Sequence, residues 1–141
     1  MTEVMSEEPI DTLDVLRGAL KSSAFTNHMG AVPTECGNGK AVVDLEIQEH
    51  MTQHMGITHG AVLGFLADSA CCWAAISELG NVVTAEYKIN FIKPAIGDKL
   101  IAKAEIIGAT SKNAITRCDV YSVKEGREKL VATAIATVVS V

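Results

Sequence analysis

The sequence predicts an α+β fold in which an antiparallel sheet wraps around one long central helix. Three observations lead to this prediction. The run from Gly60 to Ile76 is apolar nearly all round, and a helix of that kind must be covered on most sides. The segments after it alternate apolar and polar residues with the period of a strand. Only short turns separate these segments, and strands joined by short turns pair antiparallel.

The elements before the central helix are predicted to be one helix and one or two strands. Residues 10–22 have helical spacing, and Gly37-Asn38-Gly39 marks a tight turn. After that turn the chain alternates as a half-buried strand does, and a polar loop is expected at about 49–58. The helical residues are Ile10, Leu13, Leu16 and Leu20, and the apolar strand residues are Ala41, Val43, Leu45 and Ile47.

The central helix is predicted over about Thr58 to Leu79, and Gly80-Asn81 ends it. Four strands are expected after it. In the first of them the alternation assigns one face to Ala85, Tyr87, Ile89 and Phe91. The four strands cover 85–91, 100–106, 114–123 and 130–138, with breaks at 94–98, 111–113 and 125–126.

Composition and charge narrow the function classes. The 141 residues fit one domain, predicted to span 1–141. A net charge of −5 with no run of Lys or Arg argues against nucleic acid as a partner. The acidic N-terminus is unlike a secretory signal, and Asp68 inside the apolar run disfavours a membrane span. Four cysteines without a C-x-x-C pair favour reduced thiols in a cytosolic protein (Cys36, Cys71, Cys72 and Cys118).

One acid lies inside the apolar helix. Asp68 is the only charged residue between His59 and Glu78. It lies about two turns into the helix, too deep to cap it, and burying an unpaired carboxylate is costly. We therefore predict that Asp68 is catalytic. The alternative is a structural Asp bonded to a neighbouring Ser or Thr.

The start of the same helix supplies a complementary feature. Open backbone N–H groups at Gly60, together with the helix dipole, would stabilise an oxyanion that develops on a carbonyl; the alternative is an ordinary helix start. Gly60 and Asp68 are eight residues apart, about 12 Å at about 1.5 Å per residue. One chain cannot bring both to one carbonyl, but two antiparallel copies of the helix can. The spacing thus predicts a dimer with two composite sites.

The segment HMTQHMGITHGAVLGFLADSACCWAA, from His50 to Ala75, resembles the signature of PaaI-type hotdog thioesterases, a family related to phenylacetate degradation. That signature has an Asn or Gln, a Gly, then His-Gly-Gly and a helix with an acid. The stretch VTAEYKINFIKPAIGD also resembles the family's strand that ends in Pro-Ala and a Gly-acidic turn. Ala61 replaces the second Gly, and Gln53 stands where many relatives have Asn.

The resemblance implies a hotdog fold, dimers and often tetramers, and hydrolysis of an acyl-CoA to a free acid and CoA without a cofactor. It makes Asp68 the nucleophile or general base, with the Gly60 N–H polarising the thioester carbonyl. Gln53 would help to place substrate or water, and Thr84 would assist from the side of the acid. Substrate contacts are implied for His59, which also shapes the loop, and for Phe91, Gly108, Ala109 and Thr110.

Other interpretations stay open. A hotdog hydratase or dehydratase would pair a catalytic His with an acid, which the spacing of His59 does not support. A non-catalytic acyl-CoA binding protein would have less need of Asp68. The loop histidines lack companions at ligand spacing, so no metal is expected. Cys71 or Cys72 as nucleophile would need a basic partner, and none lies nearby in the sequence.

Overall fold

The computed structural model describes residues 11–141. Six strands form one antiparallel sheet in the order β1-β2-β4-β5-β6-β3, and the helix α3 contacts all six of them. This is the hotdog architecture, so the predicted fold class is confirmed. The elements are α1 (Thr12–Leu20), α2 (Ala24–Met29), β1 (Ala31–Gly37), β2 (Lys40–Glu46), a 3-10 turn (Glu49–Met51), α3 (Gly60–Ala74), α4 (Ile76–Leu79), β3 (Val82–Phe91), β4 (Lys99–Ala109), β5 (Asn113–Lys124) and β6 (Arg127–Ser140).

The core lies between α3 and the inner face of the sheet. Nine residues of α3 are buried, and Leu66 packs in the same cluster as Leu45 and Leu100 of the sheet. Small side chains on the inner face let the helix approach closely; they are Ala41, Ala102, Ala104, Ala132, Ala134 and Ala136. The length and composition of Gly60–Leu79 would suit a membrane span, but this burial identifies it as the core helix.

The central helix predicted over about Thr58 to Leu79 is confirmed over Gly60–Leu79, with a break at Ala75. Thr58 and His59 precede the helix, because their N–H groups donate to the carbonyls of Ala95 (3.0 Å) and Met51 (2.8 Å). At the other end α3 stops at Ala74, and α4 follows after Ala75. Tertiary hydrogen bonds therefore decide where the helix begins.

The prediction that consecutive strands pair was wrong for β3 and β4. β3 pairs with β6 at the edge of the sheet, and β4 pairs with β2 and β5. The connection 92–98 is longer than a hairpin turn. At its start the Ile92 N–H donates to the Val131 carbonyl of β6 at 2.8 Å, so the chain is still bonded to β6 after β3 ends. β3 is consequently left with one edge unpaired within residues 11–141.

A β-bulge between Thr84 and Glu86 decides which β3 residues face the helix. Thr84 pairs with Val138 and Tyr87 pairs with Ala136, both of which are fully buried. Cross-strand partners share a face, so Thr84 and Tyr87 point towards α3. The prediction that Ala85 shares the face of Tyr87 was wrong, because the bulge inserts one extra residue and leaves Ala85 exposed.

The N-terminal helix α1 lies within the predicted range 10–22, although Ile10 is outside the described residues. The Asp11 side chain caps it by accepting from the Leu13 N–H at 3.0 Å. The next helix, α2, carries Phe25, whose ring packs edge-on against Phe65 of α3 with centroids 5.0 Å apart. That residues 1–141 form a single domain stays a prediction.

Candidate active site

Backbone hydrogen bonds order the loop that leads into α3. The Gln53 N–H donates to the Ile57 carbonyl and the Gly56 N–H to the Gln53 carbonyl, both at 2.9 Å. Gly56 has φ +77°, a left-handed conformation that glycine adopts without strain. The Gln53 side-chain oxygen accepts from the Met55 N–H. These bonds hold Gln53 in a closed turn next to the start of α3.

At the first turn of α3 the Gly60 N–H is left without an acceptor among the described residues. His59 is the N-cap residue, and its Nδ1 accepts from the Ala61 N–H at 3.0 Å. The Val62 N–H donates to the His59 carbonyl at 2.9 Å. Within residues 11–141 no acceptor meets the Gly60 N–H, which lies at the positive end of the helix dipole. His59 thus has a capping role, and its contact with substrate stays a prediction.

An apolar cleft opens beside Gly60. A Cβ on Gly60 would lie 3.1 Å from Cζ of Phe91, so the ring rests directly on the helix start. The cleft has a volume of about 340 Å³. Its lining includes Gln53, Gly60 and Phe91, together with Ile57, Leu63, Ile92, Lys93 and Pro94. The structure thereby brings together three of the predicted site residues.

Asp68 lies on α3 about two turns beyond Gly60. The residue is half-buried, and its Oδ1 is buried with no hydrogen-bond partner. It takes part in none of the ion pairs found among the described residues. No Ser or Thr within residues 11–141 hydrogen-bonds this oxygen, so the structure does not support the alternative of a structural Asp. An unpartnered carboxylate oxygen is free to meet a substrate or a water.

Thr84 lies on the side of Asp68. Thr84 points towards α3 near Cys72, which lies one helical turn after Asp68, and the Cys72 thiol donates to the Val82 carbonyl at 4.0 Å. Burial raises the pKa of the Cys72 thiol, the neighbouring Thr84 side chain opposes that rise, and the charge of Asp68 adds to it. The thiol therefore stays protonated at neutral pH, which argues against Cys72 as a nucleophile. Cys71 is 1% exposed and packs in the core.

Gly108 and Ala109 are the last residues of β4, and Thr110 begins the turn that leads to β5. The Thr110 hydroxyl oxygen accepts from the Asn113 N–H at 3.1 Å, and the Lys112 carbonyl accepts from the Ser140 N–H at 2.8 Å. Because Ser140 pairs with Val82 at the start of β3, this turn lies at the end of the sheet opposite Phe91. The structure does not bring Gly108–Thr110 to Gly60 within one chain.

Tyr87, which the sequence analysis treated only as part of a strand, meets the helix α3 between Gly60 and Asp68. Its hydroxyl oxygen lies 3.0 Å from the position of a Cβ on Gly64, between the levels of Gly60 and Asp68 on the helix. The signal in the sequence was the even spacing of Gly60, Gly64 and Asp68, which puts all three on one helical face. Nothing local identified the aromatic residue that meets that face.

The described part of the chain has no cluster of three or more His, Cys, Asp or Glu residues that could hold a metal ion. His50 lies instead near His28, with ring centroids 6.2 Å apart. The described residues thus place an open backbone N–H next to an apolar cleft and an acid about two turns further along the same helix.

Comparisons with known proteins agree with this geometry. A family model described as the thioesterase superfamily matches residues 55–129. A Saccharolobus solfataricus protein named "Putative esterase" is 26% identical over 131 residues, which cover 92% of this chain and 85% of that protein.

Two solved structures are also similar. A thioesterase family protein from Silicibacter pomeroyi has a TM-score of 0.86 at 25% identity, covering 91% of this chain and 96% of that one. A mutant of the phenylacetic acid degradation protein PaaI from Thermus thermophilus has a TM-score of 0.73 at 29% identity, covering 83% of this chain and 98% of that one. With the family model spanning more than half of its length, the chain belongs to the thioesterase superfamily and is of the PaaI hotdog type.

Proposed function

We propose that this thioesterase-superfamily protein hydrolyses acyl-CoA thioesters to the free acid and CoA, with Asp68 as the reacting carboxylate. The observation that carries the proposal is the buried Oδ1 of Asp68, which has no partner. It lies on the helix whose first N–H, at Gly60, is also open. An acid and an oxyanion donor are the two groups that acyl transfer to water needs.

The Gly60 N–H would hold the thioester oxygen as negative charge develops on it. Asp68 has two routes. As a general base it takes a proton from water while the water oxygen bonds to the carbonyl carbon, and the C–S bond then breaks as the proton passes to sulfur. As a nucleophile it bonds to the carbonyl carbon and expels CoA, and water then cleaves the acyl-Asp anhydride. Both routes yield one acid and one thiol.

The two groups come from different chains in this proposal. They are about 12 Å apart along one helix, too far to reach one carbonyl. The open edge of β3 offers the means of assembly, because a long edge strand with exposed apolar residues tends to pair with another strand. Val83, Tyr87 and Phe91 are 48%, 41% and 58% exposed there.

Pairing two β3 edges about a twofold axis sets the two helices antiparallel. Asp68 and Thr84 of one chain would then approach Gly60, Gln53 and Phe91 of the other. In the same antiparallel arrangement, Gly108–Thr110 of one chain would lie near the cleft of the other chain, where they would contact CoA. Further association into a dimer of dimers remains a prediction from the family resemblance.

Gln53 and Thr84 are assigned supporting roles. Gln53 lines the cleft next to Gly60, and the loop that holds its side-chain oxygen leaves its amide N–H groups free to orient substrate or water. Thr84 points towards α3 near Cys72, one helical turn from Asp68, and its hydroxyl is assigned the ordering of the attacking water. The cleft residues Ile57, Leu63 and Phe91 favour an apolar acyl group.

A hydratase or dehydratase is less well supported. Such an enzyme would use His59 as a catalytic base, but the Nδ1 of His59 accepts from the Ala61 N–H. A non-catalytic acyl-CoA binding protein would have no use for an unpartnered acid on the central helix. Hydrolysis is the function that uses both Asp68 and Gly60.

The proposed location is the cytoplasm. All four cysteines are free thiols, which suits a reducing compartment. The net charge of −5 argues against nucleic acid or an anionic membrane surface as the partner.

A thiol-release assay over a panel of acyl-CoAs tests the proposal. Asp68→Asn should lower kcat by about 10² or more, because it removes the base or nucleophile. Asp44→Asn is the matched control, since Asp44 forms a partly exposed pair with Lys99 at 3.6 Å and should keep parent activity. Full activity of Asp68→Asn would remove the assignment of Asp68. Sedimentation of the parent as a monomer would remove the composite site.

A further inference from the structure

We propose that Tyr87 is a positioning residue of this site, whose hydroxyl donates a hydrogen bond to the Asp68 carboxylate during turnover. The inference rests on the proposed hydrolysis and names a residue that the function above does not use. Tyr87 lies on the inner face of the edge strand β3.

The first step is the stacking of three residues on one helical face. Gly60, Gly64 and Asp68 follow each other at intervals of four residues, so they lie one above another along α3. The Phe91 ring covers Gly60, and the Tyr87 hydroxyl reaches the helix at Gly64. The phenol group is therefore placed one helical turn from the acid.

The second step is the direction of the acid. The Cα–Cβ bonds of a helix tilt towards its N-terminus, so the Asp68 side chain leans towards the level of Gly64. Side chains four residues apart are about 5–6 Å apart at Cβ. The Tyr87 hydroxyl lies 3.0 Å from the Cβ position of Gly64. Because the Asp68 carboxylate extends part of the way towards Gly64, a small rotation of the Tyr87 ring brings the hydroxyl within hydrogen-bond distance of it.

The third step is the need for a donor. Asp68 Oδ1 is buried and unpartnered, and a carboxylate accepts hydrogen bonds from neutral donors strongly because it is charged. Anchoring one oxygen would orient the other towards the carbonyl or the water. A partner strand on the β3 edge would also cover Tyr87, which is 41% exposed in one chain, and exclusion of water strengthens such a bond.

The fourth step explains Gly64. Its backbone is not in the left-handed region, so the helix itself does not require glycine there, and glycine is unfavourable inside a helix. A Cβ at this position would meet the Tyr87 hydroxyl oxygen at 3.0 Å, which is closer than ordinary contact. The glycine is the residue that leaves room for the phenol.

Steady-state kinetics with four variants test the proposal. Tyr87→Phe keeps the ring and removes only the hydroxyl. We expect kcat to fall about tenfold with KM within about twofold, since a bond that orients a charged group contributes to turnover. Gly64→Ala should lower kcat similarly by displacing the hydroxyl. Tyr121→Phe is the control, because Tyr121 lies under Lys103, with Nζ 4.9 Å from the ring centroid, and should leave both constants unchanged.

The double variant Gly64→Ala/Tyr87→Phe makes the test sharper. If both substitutions act through one hydroxyl, their effects are not additive, and the double variant should have the kcat of Tyr87→Phe alone. Parent kcat in Tyr87→Phe, or a rise in KM with kcat unchanged, overturns the role of Tyr87 while the loss in Asp68→Asn still supports hydrolysis. If the parent hydrolyses no acyl-CoA, the proposed function fails as well.

Discussion

At the scale of single residues, the start of α3 depends on the absence of a side chain at Gly60. The absence of a side chain lets the Phe91 ring lie on the helix, where a Cβ would be 3.1 Å from Cζ. The N–H of Gly60 is open, while those of Ala61 and Val62 are both satisfied by His59. One residue thus supplies both the open N–H and the room for the Phe91 ring beside it.

Two substitutions at Gly60 separate these contributions. Proline is accepted at the first position of a helix and has no N–H, and His59 at φ −62° and ψ 136° has the extended conformation that precedes proline. Gly60→Pro should lower kcat about 10²–10³-fold, as loss of an oxyanion donor does. Gly60→Ala crowds Phe91 in the same way but keeps the N–H, so it is the control. Equal kcat values in the two variants would show that the N–H is not the donor.

At the scale of elements, the connection between β3 and β4 ties the site to the sheet. Gly97 has φ +151°, and a Cβ on it would overlap the Val123 carbonyl oxygen of β5. The Asp98 N–H donates to that same oxygen at 2.8 Å. The Ala95 carbonyl, in the same connection, accepts from the Thr58 N–H at 3.0 Å. The position of the helix start therefore depends on close contact between this connection and β5.

Gly97→Ala should destabilise the fold by about 2 kcal/mol or more, because alanine is strained at this φ and its methyl displaces β5. Gly18→Ala is the control. Nothing lies within 4 Å of a Cβ on Gly18 in α1, so alanine should stabilise the protein there by up to about 1 kcal/mol. Urea unfolding with matched m-values measures both changes. An unchanged midpoint for Gly97→Ala would contradict the tight contact.

At the scale of the whole molecule, the residues of the proposed site fall into two separate groups within each chain. Gln53, Gly60 and Phe91 surround the cleft, whereas Asp68 and Thr84 lie further along α3 and β3 around Cys72. A twofold axis through the β3 edge would join each group to its complement, and both sites of the dimer would then use residues from both chains.

Mixing two inactive chains tests this arrangement. If Asp68→Asn and Gly60→Pro chains are refolded together, the mixed dimer has one site with both substitutions and one with neither. A statistical mixture should recover about a quarter of the parent activity, since about half of the dimers are mixed and each has one intact site. A site within one chain would leave every chain inactive, so an absence of recovery would exclude the composite site.

The sequence by itself determined the central helix, its lone acid and most of the strands. An apolar run with one Asp is visible because burial on all sides leaves no polar face. The strands β4, β5 and β6 follow from period-two alternation, which records one buried face of the sheet. Gly60 and its spacing from Asp68 were equally visible, since the rise of a helix is constant.

Only the tertiary structure decided the placement of β3 and of Tyr87. The pairing of β3 with β6, the bulge beside Ala85 and the start of α3 after His59 all depend on hydrogen bonds between distant segments. The meeting of Tyr87 with Gly64 depends on that register. Periodicity reports which face of a segment is buried, but the partner that buries it is set by contacts between residues far apart in the chain.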